Sequence, residues 1–211
     1  MLIKICGIKD KNMAHVAVEA GADALGFVFA PSSRRITPQI VRNIVHSLPE
    51  SIEKVGVFVD APISLVREVA QYCDLTKLQF HGQEDVDYCL QFSLPIIKAI
   101  KVTGEGCFIP DPASYRGIVQ LFLADTYQKK NAGGTGKTFP WQKADSLKKY
   151  GSLIMAGGLR PDNVYQALSI TQPRGVDVSS GVETNGEKDS KKIRKFIQEI
   201  RRWKNEYSNT E

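Results

Sequence analysis

The sequence predicts an α/β fold: a single (β/α)8 barrel with eight parallel strands, spanning residues 1–211 as one domain. Eight short apolar segments alternate with segments whose apolar residues recur at helical spacing. No linker or change of composition divides the 211 residues. Small-residue turns follow the seventh and eighth apolar segments, which is where such barrels often bind phosphate.

A doubly wound open sheet is the alternative arrangement of alternating strands and helices. That fold usually carries a GxGxxG turn after its first strand, and the segment KICGI does not continue in that way. Barrels of this class typically have about 250 residues, so we expect a compact example.

The first half of the chain supplies four strand and helix pairs. The expected strands are KICGI (4–8), ALGFVFA (24–30), KVGVFVD (54–60) and LTKLQFHG (75–82). Asp10 can cap the first helix and Gly21 can end it, while Thr37 and Pro38 are suited to begin the second. The third and fourth helices are expected over 62–72 and about 85–92.

The second half continues the alternation. The expected strands are PIIKAIKV (95–102), VQLFLADT (119–126), SLIMA (152–156) and VDVS (176–179). Residues 103–117 have two prolines and weak periodicity, so any helix there is short. Helices are expected from about Trp141 to Tyr150 and from Pro161 onward. The last helix has an apolar stripe, formed by Ile193, Phe196, Ile197, Ile200 and Trp203.

Composition and charge narrow the functional classes. The formal charge is +5, and much of the excess lies in the last helix, which could face nucleic acid or a membrane. The apolar stripe favours a packed helix with a solvated basic face. The chain has no long apolar run and no signal-peptide pattern at its start. Its four cysteines form no CxxC pair, which predicts a reduced, cytoplasmic enzyme without a disulfide framework or zinc site.

Two strand ends predict an anion site. Gly157 and Gly158 follow one apolar strand, and Ser179, Ser180 and Gly181 follow the next. Small residues let backbone N–H groups approach a ligand closely, which suits phosphate. We expect the two turns to form one shared phosphate site.

Two residues at other strand ends are candidates for acid–base chemistry. Cys6 could be a small buried side chain, or an acid or base at the barrel mouth. A thiol has an ordinary pKa of about 8.5, so work as a base requires neighbours that favour the thiolate. Asp125 ends an apolar strand, where a carboxylate is costly unless it is partnered or used. A helix cap or a structural ion pair is the alternative for Asp125.

Other polar residues at the strand ends are less specific. Arg34 and Arg35 follow the second strand and could bind a carboxylate bidentately or form a solvated surface pair. His81 and Asp177 could act in catalysis or simply orient neighbours, and Lys98 could support the barrel through an ion pair.

The segment NAGGTGKT (131–138) ends like a phosphate-binding P-loop. The pattern GxxxxGK[ST] requires its first glycine at position 131, where the chain has Asn131. The nucleotide-binding interpretation therefore fails. A mobile loop that covers the site is the better hypothesis, because the segment has three glycines.

These segments together resemble the phosphoribosylanthranilate isomerase family of TIM barrels, which acts in tryptophan biosynthesis. The motifs that carry the resemblance are KICGI, GFVF with SRRI, GVFV, QFHG, LADT, GGTGKTF, AGGL and VDVSSGVE. They cover nearly the whole chain in order. Two positions depart from the family pattern, where Leu and Asp are usual: Phe80 in QFHG and Pro140 after the GGTGKTF segment.

The resemblance implies an Amadori rearrangement of N-(5-phosphoribosyl)anthranilate. It implies that Cys6 is the general base, that Asp125 is the general acid, and that Arg35, the second arginine of SRRI, binds the anthranilate carboxylate. His81 and Asp177 would line the substrate pocket. The phosphate would be bound by Gly157, Gly158, Ser179, Ser180 and Gly181. No step requires a metal or redox cofactor.

The expected partner is therefore a small phosphosugar, with no nucleic acid or membrane partner, and the family includes monomers and homodimers. One alternative is another phosphosugar barrel, of the indole-glycerol-phosphate synthase or histidine-pathway isomerase type. The other is a non-catalytic module that binds anions or nucleic acid through the basic terminus, although no basic patch interleaved with aromatic residues supports it.

Overall fold

The computed structural model describes residues 1–103, 105–126 and 141–208. Its central feature is a closed barrel of eight parallel strands, as the sequence predicted. In chain order, the strands β1 to β8 are Leu2–Cys6, Ala24–Val28, Glu53–Phe58, Lys77–Phe80, Ile96–Val102, Leu121–Thr126, Ser152–Met155 and Gly175–Val178.

Each strand pairs in parallel with the strands before and after it in sequence. The pairing of Leu78 with Ile96 joins β4 to β5, and the pairing of Leu2 with Gly175 joins β1 to β8. These pairings complete the ring, so the carboxyl ends of all eight strands surround one mouth.

Helices α1 to α7 cover the outside of the barrel. They are Lys11–Ala20, Pro38–Val45, Ile63–Tyr72, Val86–Cys89, Trp141–Asp145, Val164–Thr171 and Ser190–Ser208. The fifth unit has a short strand, Phe108–Ile109, and a 3-10 turn, Pro112–Tyr115, in place of a long helix. The prediction that any helix there is short is confirmed.

Local sequence determines where several helices begin and end. The side chain of Asp10 accepts a hydrogen bond from the Met13 backbone N–H at 2.8 Å, and Gly21 ends α1 with a left-handed backbone, φ 107°. Thr37 and Pro38 begin α2 as expected, although Thr37 makes no side-chain cap bond. The expected start of a helix at Pro161 is wrong, because Asn163 is the N-cap and α6 begins at Val164.

The fold buries two apolar layers on opposite faces of the strands. The layer inside the barrel consists of Ala24, Val55, Ile97, Ala99, Leu121, Leu123, Ile154 and Ala156. The larger layer lies between the strands and the helices and includes the stripe of α7. That helix packs against α1 and α6, so its charges form a solvated face. Phe80 also belongs to the outer layer, where it stacks against Tyr88 and Phe92.

Within these three described stretches, no helix combines the length and the apolar character that crossing a bilayer requires.

Candidate active site

A pocket of about 350 Å³ opens at the carboxyl ends of the barrel strands. This end of the fold is where (β/α)8 barrels place their chemistry. Of the residues predicted from the sequence, those that line the pocket are Cys6, His81, Asp125, Gly157, Gly158, Asp177, Ser179, Ser180 and Gly181. Arg35 is the exception.

Cys6 ends β1 beside a buried ion pair. The Lys4 Nζ atom lies 2.8 Å from Asp177 Oδ1, and the Lys4 side chain is fully buried. A Cβ atom placed at Gly26 would lie 2.7 Å from Cys6 Sγ and 3.0 Å from Lys4 Nζ. Both groups therefore occupy the space above Gly26, and a larger residue at 26 would displace them.

The pKa of the Cys6 thiol depends on its burial and on these charged neighbours. Burial raises the pKa of the Cys6 thiol, and Asp177 adds to that rise, while the Lys4 ammonium opposes it. Burial alone would lower the pKa of Lys4, but the charges of Asp177 and Cys6 outweigh burial and raise it. Lys4 is thus the cation that favours a thiolate at Cys6, yet burial dominates the thiol in the ligand-free protein.

Asp125 ends β6 across the pocket from β1. Its Oδ2 atom lies 3.0 Å from His81 Nε2, and His81 Nδ1 lies 3.0 Å from Gln79 Nε2. The side chains of His81 and Asp125 are 28% and 33% exposed. The side chain of Asp125 therefore faces the pocket and contacts an imidazole.

The arginine that lines the mouth is Arg34, whereas the resemblance implied Arg35 as the residue that binds the carboxylate. Arg34 lines the pocket and donates from Nε and Nη2 to the two carboxylate oxygens of Glu183, at 2.7 Å each. Arg35 is exposed and lines a separate outer groove with Leu65 and Val69. The side-chain direction of a residue in the loop after β2 is set by the turn of that loop, which sequence spacing does not determine.

Glu183 holds two cations at the rim. Besides Arg34, it accepts a hydrogen bond from Lys188 Nζ at 2.5 Å. Burial alone would raise the pKa of Glu183, but the hydrogen bonds from Arg34 and Lys188 lower it to about 2. Lys188 also donates to the Ser179 carbonyl at 3.1 Å, so this cation is tied to the turn after β8.

The two small-residue turns after β7 and β8 contact each other. A Cβ atom at Gly181 would lie 1.8 Å from the Leu159 carbonyl oxygen, so only glycine permits this approach. Gly157 and Gly158 both have positive φ angles, 72° and 69°. The side chain of Asn163 braces the first turn by donating to the Gly158 carbonyl and accepting from the Arg160 N–H.

A second buried ion pair lies outside the ring of strands. Ile97 and Ala99 face the barrel interior, so alternation along β5 turns Lys98 toward the helices. Lys98 Nζ lies 2.7 Å from Glu84 Oε2 and donates to the Gly82 carbonyl at 2.9 Å. Glu84 also accepts from the backbone N–H groups of Asp60 and Gly82. The pair thus joins the loops after β3 and β4. The sequence left the role of Lys98 open, with an ion pair in the barrel interior as one possibility, and the structure shows an ion pair outside that interior.

Several residues of the site escaped the sequence analysis, namely Lys4, Gln79, Asn163, Glu183 and Lys188. A signal existed for two of them. Lys4 and Gln79 are polar residues in apolar strands, each two positions before a candidate, so period-two alternation puts them on the same face as Cys6 and His81. The predicted lid at 131–138 and Pro140 lie outside the described residues.

Comparisons with known proteins agree on one family. The family model described as N-(5'phosphoribosyl)anthranilate (PRA) isomerase matches residues 3–199. A relative from Desulforudis audaxviator, named N-(5'-phosphoribosyl)anthranilate isomerase, is 48% identical over 196 residues, covering 93% of this chain and 96% of its own length.

Solved structures agree with the sequence relatives. A phosphoribosyl anthranilate isomerase from Thermotoga maritima is similar, with a TM-score of 0.87, 38% identity and coverage of 95% and 98% of the two chains. Another structure of this enzyme, in complex with reduced 1-(o-carboxyphenylamino)-1-deoxyribulose 5-phosphate, has a TM-score of 0.84, 35% identity and the same coverage.

Proposed function

The chain belongs to the phosphoribosylanthranilate isomerase family, and from this premise we propose how the residues at the barrel mouth perform its reaction. The protein is an isomerase of tryptophan biosynthesis, as the resemblance implied. It converts N-(5-phosphoribosyl)anthranilate into 1-(2-carboxyphenylamino)-1-deoxyribulose 5-phosphate. The carrying observation for the residue roles is that one pocket contains Cys6, Asp125 and both small-residue turns.

The two ends of the substrate have separate partners in this proposal. The backbone N–H groups of the turns at 157–158 and 179–181 bind the 5′-phosphate, and Lys188 adds positive charge behind the second turn. Arg34 binds the anthranilate carboxylate. Glu183 engages Nε–H and one N–H of Nη2, and a guanidinium has five N–H donors, so three remain for the substrate. His81 and Asp177 line the pocket between these ends.

Asp125 opens the ribose ring as the general acid. Its proton passes to the ring oxygen, the bond from C1′ to that oxygen breaks, and the anthranilate nitrogen forms a double bond to C1′. The product of this step is a protonated Schiff base, and Asp125 becomes a carboxylate that His81 stabilises at 3.0 Å.

Cys6 then acts as the general base. The thiolate removes the proton from C2′, the C1′–C2′ double bond forms, and the electrons of the C=N bond return to nitrogen. The resulting enolamine tautomerises to the ketone. Lys4 supports this step because its ammonium stabilises negative charge on the adjacent sulfur. Holding the substrate at both ends fixes C2′ between the acid and the base.

Three broader features also belong to the proposal. We propose that the chain is one domain, since its strands close a single sheet and α7 packs back on α1. We propose a cytoplasmic setting, because the cysteines are free thiols. We propose that the protein is a monomer or a homodimer. A similar solved structure contains monomers that were generated from the dimeric phosphoribosylanthranilate isomerase of Thermotoga maritima. The substrate is a small molecule, and we propose no nucleic-acid partner.

The test is a fluorescence assay that follows the loss of phosphoribosylanthranilate made in situ. Cys6→Ala and Asp125→Asn should each lower kcat by about 1,000-fold, because each removes a proton-transfer group, while substrate binding survives. Near-normal turnover in either variant would remove that residue from the mechanism.

A matched pair of variants tests the carboxylate site. Arg34→Ala should mainly raise KM, by about 10-fold or more, because it removes a bidentate partner for the carboxylate. Arg35→Ala is the control and should leave KM near the wild-type value, because Arg35 lies in the outer groove. An increase in KM for Arg35→Ala alone would restore the interpretation made from the sequence.

A further inference from the structure

A chain of three side chains connects the barrel interior to the proposed acid. Gln79 lies on the inner face of β4, His81 follows directly after that strand at the next inward position, and His81 reaches Asp125 on β6. Gln79 Nε2 lies 3.0 Å from His81 Nδ1, and His81 Nε2 lies 3.0 Å from Asp125 Oδ2. Gln79 is almost fully buried, and its Oε1 atom has no hydrogen-bond partner among the described residues.

With the amide nitrogen of Gln79 facing His81, these contacts are compatible with one arrangement of the protons. An amide nitrogen can only donate, so His81 Nδ1 must present a lone pair to Gln79. The proton of the neutral ring then lies on Nε2 and is donated to Asp125 Oδ2, which must accept it as a carboxylate. This orientation of the amide therefore corresponds to one proton in the pair of Asp125 and His81, which is the state of the acid after it has protonated the substrate.

The state that precedes catalysis has two protons in the same pair. If Asp125 carries one and donates it to Nε2, the ring proton lies on Nδ1. If the pair is instead a carboxylate and an imidazolium, Nδ1 again carries a proton. In both cases an N–H at Nδ1 would face the N–H of the Gln79 amide, so the present orientation excludes the two-proton state.

Rotation of the amide by half a turn removes this conflict. We propose that Gln79 is a positioning residue that couples the proton content of Asp125 and His81 to the orientation of its own side-chain amide. With two protons, Oε1 accepts from Nδ1–H, and the acceptor that is now unpaired gains a partner. With one proton, Nε2 donates to the Nδ1 lone pair. An amide offers both a donor and an acceptor from one buried position.

The proton count balances over the proposed reaction, on which this inference rests, because the proton that the C2′ hydroxyl releases when the ketone forms replaces the one that Asp125 donates. Asp125 transfers one proton to the ribose ring oxygen, and one proton remains on His81. Because the His81 side chain is 28% exposed at the mouth, pocket water can exchange that proton from Nδ1 to Nε2. The amide then returns to the orientation observed here.

Other ionisable groups surround this pair. Cys6, Asp177 and Arg34 line the same pocket, and Lys101 is paired in register with Asp125 on β5. Asp60 lies against Gly82 in the adjacent loop, and Glu84 accepts from the Gly82 N–H. The side chain that faces His81 Nδ1 is Gln79 and none of these groups. The coupling can therefore be tested by substitution of Gln79.

The first test is ¹⁵N NMR of the histidine rings in the ligand-free protein. The chain has only three histidines, so a His81→Asn variant identifies the signals of His81. At neutral pH we expect a protonated Nε2 and an unprotonated Nδ1. A ring protonated at Nδ1 in the neutral state would overturn the proposal, and this measurement needs no variant of Gln79.

The second test changes residue 79 and follows the pH at which His81 takes up the second proton. Gln79→Glu presents only acceptor oxygens when ionised, so this pH should rise by about one unit or more. Gln79→Met presents neither a donor nor an acceptor, so the pH of this proton uptake should stay near the wild-type value. In the pH profile of kcat/KM, the midpoint of one limb should move to higher pH in Gln79→Glu and should not move in Gln79→Met.

The coupling would be overturned if the pH at which His81 takes up the second proton were unchanged in Gln79→Glu. It would also be overturned if that pH rose equally in Gln79→Glu and Gln79→Met. These NMR results are independent of turnover. If Asp125→Asn kept its activity while the NMR results held, the assigned role of Asp125 would fall and the coupling would stand.

Discussion

The protein contains two buried pairs of lysine and carboxylate, and they serve different ends. Lys4 and Asp177 lie inside the barrel, and Lys98 and Glu84 lie outside the ring of strands. Both lysine side chains are fully buried, and the two N–O distances, 2.8 and 2.7 Å, are nearly equal. Burial and distance therefore do not distinguish a pair that acts in chemistry from a pair that supports the fold.

The remaining hydrogen bonds distinguish them. Glu84 accepts from two backbone N–H groups, and Lys98 also donates to a backbone carbonyl, so that pair is tied to loops. Lys4 has instead a thiol beside its ammonium, and Asp177 lines the pocket. A buried charge whose other contacts are backbone atoms indicates a structural role, whereas one whose other contact is a reactive group indicates a chemical role.

The largest expected effect concerns the outer pair. Lys98→Met leaves Glu84 charged and buried without its cation, so the free energy of unfolding should fall by about 3–5 kcal/mol. Urea unfolding at pH 7 measures it. Lys148→Met is the matched control, since Lys148 pairs with Asp145 on the surface and should contribute less than about 1 kcal/mol. An equal loss in both variants would contradict the structural role.

The inner pair should affect turnover more than stability. Lys4→Met removes the cation beside Cys6, so kcat should fall by about 100-fold, within the range of a lost contribution to proton transfer. The free energy of unfolding should fall less than in Lys98→Met, because pocket water can hydrate Asp177. If the folded Lys98→Met protein lost as much kcat as Lys4→Met, the two pairs would not differ in the way described.

The smallest effect belongs to the rim, where Glu183 pairs with Arg34 and Lys188. Its pKa in the folded protein is about 2, below its ordinary value. A lowered carboxyl pKa adds stability that is present above the unfolded pKa of about 4.3 and is lost as the pH falls toward 2. Nothing changes at pH 7. The midpoint temperature of thermal unfolding should therefore fall less steeply between pH 5 and pH 2 in Glu183→Gln than in wild type. Identical slopes in the two proteins would contradict this expectation.

Much of this architecture could be predicted from the sequence. The spacing of apolar residues indicates the strands and helices, and the ends of the apolar runs indicate which residues lie at the mouth. The eight strands, the cap at Asp10 and the mouth positions of Cys6, His81 and Asp125 all follow from alternation and from where each apolar run stops. Arg34 was not chosen over Arg35, because a loop has no fixed side-chain period. The partner of Lys98 was also out of reach, since Glu84 meets it only after β4 and β5 pair.

The most direct test of the central claim, that Lys4 acts on the reactive thiol, is the rate of Cys6 alkylation by iodoacetamide against pH. In both proteins Cys107 is replaced by serine, and the buried Cys73 and Cys89 are replaced by alanine, so that the alkylation rate reports on Cys6 alone. The midpoint should lie above the ordinary thiol value of about 8.5 in the otherwise wild-type protein, and it should lie higher still in Lys4→Met, because the cation that opposes the rise is gone. Equal midpoints, or a lower midpoint in Lys4→Met, would contradict the account.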